Sequence, residues 1–237
     1  MLNVLQREEE KGNAPMLTDL LVKMGISPPQ QDWQKPVIGV SACLTGQKVR
    51  YDGDHKHNGI VMHQLTPLLR FRETCPEVSI GLPIPRPPIQ VVQLGDAQRV
   101  QAVHDPSRDY TESLEHVAEQ LGEPLCGFVL KARSPSCGHL TTPLHDEHGN
   151  DIGTGSGAFA RKLHDLYPRI ALANESDLEK PTFLQQFVIQ VFCYQQWHHN
   201  DHQGSWLQER LEKSELLDEP LRTNVQHYLS RLSKAMH

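Results

Sequence analysis

Apolar stretches alternate with polar ones along the middle of the chain. Two β-branched or apolar runs, residues 37–42 and 125–131, have the length and composition of buried strands. Strands that alternate with helices are typical of an α/β fold, here a Rossmann-like mixed or parallel sheet flanked by helices. The predicted strands are residues 37–42, 89–94, 99–104, 125–131 and 169–173, and the predicted helices are residues 59–69, 109–121 and 157–166.

The two ends of the chain differ from this central part. Residues 1–35 are predicted to form an N-terminal appendage with one short helix, residues 17–24, that Gly25 ends. From Pro181 onward, apolar residues recur at helical spacing. The pattern therefore predicts a central domain over 36–174 and a helical C-terminal extension over 175–237.

Composition narrows the classes of function. A chain of 237 residues with 38% hydrophobic residues can bury a sizeable core. A net charge of −6 argues against an electrostatic grip on duplex nucleic acid and favours small substrates. Five irregularly spaced cysteines do not form a secretory disulfide pattern, and no signal peptide or membrane-length apolar run is present. We expect a cytoplasmic protein without membrane association, either a monomer or a homodimer.

Three of the five cysteines lie in short loops rich in turn residues. Cys43 and Cys137 each follow a predicted buried strand, and Cys75 precedes a proline. Cys126 and Cys193 instead lie among apolar residues, where a thiol is usually an inert part of the core. Three thiolates brought together by the fold could hold a metal cluster and leave one iron open to polarise a substrate.

Several short motifs are spaced over roughly residues 36–174. They are Ser41-Ala-Cys-Leu-Thr-Gly46, Val49-Arg-Tyr-Asp-Gly53, Cys75-Pro-Glu77, Gly81-Leu82, Pro85-Arg-Pro-Pro88, Asp109-Tyr-Thr111, Ser134-Pro-Ser-Cys-Gly138 and Gly153-Thr-Gly-Ser-Gly-Ala158. Together they resemble the motifs of the thiouracil desulfidase family. The resemblance implies a 4Fe-4S cluster held by Cys43, Cys75 and Cys137, whose remaining iron takes up the thiocarbonyl sulfur of a thiolated uracil, uridine or nucleotide.

Two residues beside the cysteines are candidate catalytic groups. Glu77 follows Cys75 by two positions and is a candidate general acid/base, although a helix-capping role or an ion pair with Arg86 or Arg133 would equally explain it. Ser134 could relay a proton or hold the uracil edge, or it could simply form a turn. Relatives can have serine where this chain has Ala132, which weakens the assignment of the proton relay to Ser134.

Four further residues are candidate substrate contacts: Arg50, Asp52, Ser136 and Gly155. Gly155 belongs to a glycine-rich stretch, 153–157, that is predicted to open a helix. Amides at such a helix N-terminus can bind phosphate, and a purely structural turn is the alternative. Arg50 and Asp52 could equally form a pair that packs their own loop.

Two other functions also suit the cysteines. His139 lies two residues after Cys137 and could complete a Cys₃His zinc site in a structural or sensory protein without turnover. A persulfide on one cysteine would make the chain a sulfur carrier that needs no metal.

Overall fold

The computed structural model describes residues 16–122, 125–199 and 204–233. Its helices are α1 (16–23), α2 (Pro76–Ser79), α3 (Thr111–Glu119), α4 (Ala158–Leu166), α5 (Pro181–His199), α6 (Gly204–Ser214) and α7 (Glu219–Ser233). Its strands are β1 (Val37–Ser41), β2 (Arg70–Thr74), β3 (Ile89–Leu94), β4 (Ala97–Ala102), β5 (Asp105–Asp109), β6 (Gly127–Leu130), β7 (Thr142–His145), β8 (Asp151–Gly155) and β9 (Ala171–Asn174).

A four-stranded parallel sheet in the order β2-β1-β6-β9 lies at the centre. The apolar runs predicted from the sequence become β1 and β6, and Ile38, Val40 and Val129 are fully buried in them. Helices cover both faces of such a sheet, which is why its inner strands are apolar throughout. The predicted α/β fold is confirmed. Because all four strands are parallel, their carboxyl ends meet at one edge of the sheet.

A second, mixed sheet has the order β5-β4-β3-β7-β8. The predicted hairpin is present as β3 and β4, but β5, β7 and β8 were not expected. Most residues of β5 and β8 are exposed, so neither strand carries an apolar pattern. Of the stretch 153–157 that was predicted to open a helix, Gly157 does so as the N-cap of α4, whereas Gly153 and Gly155 pair with β7.

Two further elements also differ from prediction. The helix expected over 59–69 is a π-helix over Ile60–Leu65. The segment that leads to Cys75 is β2, whose residues are exposed or half-buried because the strand lies at the sheet edge. This strand matters for the site, since its pairing with β1 brings Cys75 to the same edge as Cys43.

Both ends of the described chain pack onto one face of the parallel sheet. Leu17 of α1, Val188 of α5 and Val225 of α7 belong to one buried cluster with Ile38 of β1. The buried Arg210 of α6 also donates a hydrogen bond to the backbone oxygen at position 24, just after α1. Described parts of the predicted appendage and extension therefore share a core with the central domain, whereas residues 1–15 lie outside the described residues.

The opposite face of the sheet is covered by α3 and α4. Phe128 of β6 and Phe159 of α4 stack edge to face there, with ring centroids 5.4 Å apart. Within the described residues, every helix is too short or too polar to cross a bilayer.

Leu229→Ala tests whether the C-terminal helices and the sheet share one core. Leu229 is fully buried in α7, so we expect the free energy of unfolding to fall by about 2–5 kcal/mol in a single transition. The matched control is Leu216→Ala, because Leu216 is 61% exposed. Urea unfolding followed by circular dichroism measures both. Two separate transitions, with only the helical one shifted, would contradict the shared core.

Candidate active site

A cavity of about 430 Å³ opens at the carboxyl edge of the parallel sheet. Its wall contains the ends of β1, β2 and β6 together with the loops that follow them. The lining residues include Cys43, Cys75 and Cys137, the three thiols predicted to act together. Parallel strands place ligand sites at this edge, and here each of the three strands leads into a cysteine loop.

Cys43 lies in a single 3₁₀ turn, Ala42–Thr45, directly after β1. Gly46 ends that turn with a φ of 101°, a left-handed conformation that glycine adopts without a steric penalty. The backbone oxygen of Cys43 accepts a hydrogen bond from the Lys56 amide at 2.8 Å. This hydrogen bond holds the polar loop after Gly46 against Cys43. Cys43 is buried.

Cys75 precedes the short helix α2, whose first residue is Pro76. Proline at that position supplies the helical φ and lacks an amide that would otherwise be unpaired. The Cys75 sulfur lies 3.7 Å from the backbone oxygen of Val49. Cys75 is half-buried, so it is the most accessible of the three thiols.

Cys137 lies in a loop that packs against the N-terminus of α4. The Gly157 amide donates to the Gly138 oxygen at 2.8 Å, and the Ala160 amide donates to the Ser136 oxygen at 3.3 Å. A Cβ atom on Gly157 would lie 2.4 Å from the Ser136 carbonyl carbon, so only glycine permits this approach. The glycine-rich stretch thus supports the cysteine loop, and these two amides are already occupied by protein oxygens.

Hydroxyl groups surround the Cys137 sulfur. Ser41 donates to it at 3.4 Å, and the Cys137 thiol lies 3.3 Å from the Ser134 hydroxyl oxygen. The Lys131 amide in turn donates to the Ser41 oxygen at 3.0 Å, which fixes the serine. Cys137 is held by side chains from two different strand ends.

Burial controls the protonation of the three thiols. It is the main cause that raises the pKa of Cys43 to about 12, and Cys137 and Cys75 raise it further because a second charge nearby is unfavourable. Burial likewise raises the pKa of Cys75 and of Cys137. The metal-free site therefore holds neutral thiols, and binding of a metal group must release protons.

The donor set fits an iron-sulfur cluster better than a single ion. Within the described ranges, no three His, Cys, Asp or Glu side chains converge closely enough to hold one metal ion. A cluster spreads its thiolate ligands over separate irons and so accepts three sulfurs around a cavity. Cysteine thiolates are also the usual ligands of such clusters.

His139 is not part of the cavity wall. Its ring lies beside that of His164, with centroids 5.7 Å apart, and burial is the main cause that lowers its pKa. Its backbone amide donates to the Asn174 side chain at 3.0 Å, which holds the residue toward the end of β9. The Cys₃His alternative therefore lacks its fourth ligand in this arrangement.

Glu77 is buried and both its carboxylate oxygens are engaged. Arg86 donates to Oε2 at 2.7 Å, and Ser136 donates to Oε1 at 2.7 Å. The Ser136 and Ser134 hydroxyl oxygens lie 3.0 Å apart, and Ser134 contacts the Cys137 thiol. A continuous hydrogen-bonded chain thus leads from Cys137 through two serines to Glu77. Of the two arginines considered as partners, the structure pairs Glu77 with Arg86.

The candidate substrate contacts are not all brought together. Arg50 and Ser136 line the cavity. Asp52 is outside the lining and pairs with Arg50 at 3.2 Å. Gly155 lies in β8, where a Cβ atom added to it would meet Gln98, and it does not line this cavity.

Lys131 is a cavity residue that was not predicted from the sequence. Lys131, the residue after β6, lines the cavity, and its ammonium is held by Glu175 and by the Ala132 backbone oxygen. The signal was present, because a lysine that ends an otherwise apolar strand needs a partner or a ligand. Together with Arg50, Lys56, Arg86 and Arg133, it makes the lining rich in cations, with Glu77 as its one acidic residue.

The fold and the cavity define an α/β protein with three loop thiols at the carboxyl edge of a parallel sheet. The chain belongs to the 2-thiouracil desulfurase family, whose model matches residues 38–175. An uncharacterized protein of Bacillus subtilis, YbbK, is 29% identical in an alignment of 151 positions, and the match covers 59% of this chain and 97% of that protein.

A solved structure described as a [4Fe-4S]-dependent thiouracil desulfidase, TudS, is also similar. It is 31% identical, with a TM-score of 0.49, and the match covers 62% of this chain and 94% of that one.

We predict that Cys43→Ala, Cys75→Ala and Cys137→Ala each abolish iron binding. The controls Cys126→Ala and Cys193→Ala should load normally, because neither residue lines the cavity. Iron and acid-labile sulfide per folded chain, measured after anaerobic reconstitution, compare the five variants. Full loading of any variant in the first set would contradict the ligand assignment.

His139→Ala separates the cluster from the zinc alternative. Because the His139 ring packs on His164 outside the cavity wall, we expect the variant to keep its iron and most of its activity. Metal analysis and thermal unfolding are compared with the parent. Loss of a bound zinc together with a lowered unfolding midpoint would establish the closed Cys₃His site instead.

Proposed function

We propose that this chain removes sulfur from a thiolated uracil base, nucleoside or nucleotide. In the net reaction, water replaces the sulfur of a C=S group, a carbonyl forms and hydrogen sulfide leaves, without net oxidation or reduction. The observation that supports this most directly is the cavity itself, where three loop thiols face one space and a buried carboxylate is connected to that space by hydroxyl groups.

Cys43, Cys75 and Cys137 would hold a 4Fe-4S cluster as thiolates. When bound, such a cluster supplies an iron without a protein ligand, which is a Lewis acid suited to sulfur. A reducing compartment such as the cytoplasm would keep these thiols free of disulfides.

Glu77 is the proposed general acid/base. Ser136 donates to Glu77 Oε1, so Ser134 must donate to the Ser136 oxygen for both bonds to form. The chain is then ordered toward the carboxylate, and a proton taken up near Ser134 can be stored at Glu77. Positioned groups of this kind contribute about 10²- to 10⁴-fold to rate.

The cationic lining suits an electron-rich substrate. Arg50 and Lys131 can donate to the carbonyl oxygen, the sulfur or a phosphate of a thiolated pyrimidine, and Ser136 can contact the ring edge. Arg50 also lies against the Tyr51 ring, 5.5 Å from its centroid, and Asp52 fixes its guanidinium. Asp52 is therefore assigned to orienting Arg50.

A substrate panel tests the proposed function. Reconstituted protein is incubated without oxygen with 2-thiouracil, 4-thiouracil, the corresponding thiouridines and their monophosphates, and hydrosulfide and the desulfurated product are quantified. We expect equal amounts of the two products from at least one substrate and none from Cys137→Ala. Absence of both products across the panel, with iron fully loaded, would reject the proposal.

Glu77→Gln should keep the cluster and lower turnover by about 10²-fold or more, the scale of a missing acid/base group. The amide keeps the size of the side chain, and its one oxygen can accept from either Ser136 or Arg86, but it cannot store a proton. Iron content and single-turnover rates are measured on the same sample. Near-parental turnover in a loaded variant would reduce Glu77 to a structural partner of Arg86.

A further inference from the structure

Arg86 lines the cavity, and its guanidinium contacts three separate segments of the chain. The guanidinium donates to Glu77 at 2.7 Å, to the Val49 oxygen at 2.9 Å and to the Pro83 oxygen at 3.3 Å. Its backbone amide donates to the Tyr51 oxygen at 2.8 Å. One side chain thus connects α2, the 49–51 segment and the proline-rich loop.

The Arg86–Glu77 ion pair is buried, so breaking it would cost free energy. Only 3% of the Arg86 side chain and 11% of the Glu77 side chain are exposed. A buried carboxylate that loses its partner is strongly destabilised, so each member of the pair constrains the other. The planar guanidinium presents donors in fixed directions, which a lysine ammonium cannot reproduce.

The geometry divides the two carboxylate oxygens of Glu77 between two tasks. Oε2 is held by Arg86, and Oε1 is consequently turned toward Ser136 and the serine chain. The Val49 oxygen that Arg86 holds also lies 3.7 Å from the Cys75 sulfur. The same guanidinium therefore acts on the acid/base group and on the surroundings of one cysteine.

We infer that Arg86 is a positioning residue that aims the Glu77 carboxylate at Ser136 and holds the Val49 carbonyl against Cys75. This inference rests on the proposed function. It predicts that Arg86 affects turnover through Glu77, and not through general stability alone.

A double-mutant cycle tests the first half of the inference, that Arg86 aims the Glu77 carboxylate at Ser136. Glu77→Gln is expected to lower the single-turnover rate of iron-loaded protein by about 10²-fold or more, and Arg86→Met by about 10-fold or more. The double variant should be about as slow as Glu77→Gln alone, because residues that act as one unit are not additive. Arg86→Lys keeps the charge but loses the fork, so it should show the same non-additivity in milder form. Arg86→Lys replaces Arg86→Met in the cycle if Arg86→Met does not fold.

Arg210→Met is the matched control. Arg210 is buried to a similar extent and also donates to a backbone oxygen, but it lies between α6 and the end of α1, away from the cavity. Its loss should lower the unfolding midpoint while the turnover per bound iron stays near the parental value. Effects of Arg86 and Glu77 that simply multiply, as two independent sites would, overturn the inference.

The second half of the inference, that Arg86 holds the Val49 carbonyl against Cys75, can be tested without metal and without turnover. In metal-free protein, Arg86→Lys, which keeps the positive charge that lowers the Cys75 pKa, should speed alkylation of Cys75 by iodoacetamide, followed by mass spectrometry, while Arg210→Met should not. An unchanged Cys75 rate overturns this half. Parental turnover in Glu77→Gln overturns the inference together with the acid/base role, and hydrosulfide release by the parent protein distinguishes that failure from failure of the proposed desulfidase function.

Discussion

Parallel pairing of β1 with β2 on one side and β6 on the other is the constraint on which the site depends. Register pairs Ser41 with Thr74, so the last residues of β1 and β2 are neighbours, and Cys43 and Cys75 follow them closely. β6 ends at the same edge and leads through Lys131 to the Cys137 loop. Strand pairing therefore brings Cys43, Cys75 and Cys137 to one place although they are far apart in sequence. Direct contacts between their loops are not needed for this.

Packing of the Cys137 loop on α4 completes the cavity. The helix N-terminus donates to the loop oxygens, and Gly157 allows the close approach. Since the loop cannot move without breaking these hydrogen bonds, the Cys137 sulfur is held in place before any metal binds. Preorganisation of this kind reduces the cost of assembling a metal site.

Part of this arrangement could be read from the sequence. The strands that carry Cys43 and Cys137 are apolar runs followed by turn residues, and that contrast also separated these cysteines from Cys126 and Cys193. The strands β5 and β8 could not be predicted, because exposed polar strands show no alternation. The roles of Lys131 and Arg86 depend on partners distant in sequence, which local patterns do not reveal.

Side-chain contacts were likewise only partly predictable from the sequence. The sequence spacing predicts that Glu77 lies near Cys75, but it leaves two possible arginine partners. The structure shows that the partner is Arg86. Gly153 and Gly155 looked like the opening of a helix because glycine, serine and threonine are common at such positions. They instead form an exposed edge strand, and Gly157 alone of that stretch meets the cysteine loop.

The proposed function requires that three cysteines hold a cluster and leave one iron for the substrate. Mössbauer spectra of protein reconstituted with ⁵⁷Fe, recorded with and without a thiouracil that the protein desulfurates, test it most directly. We expect about a quarter of the iron signal to change on addition of the substrate, because the other irons each keep a cysteine thiolate. Spectra that stay the same while substrate is bound and turned over, or protein that binds no iron at all, would contradict the account.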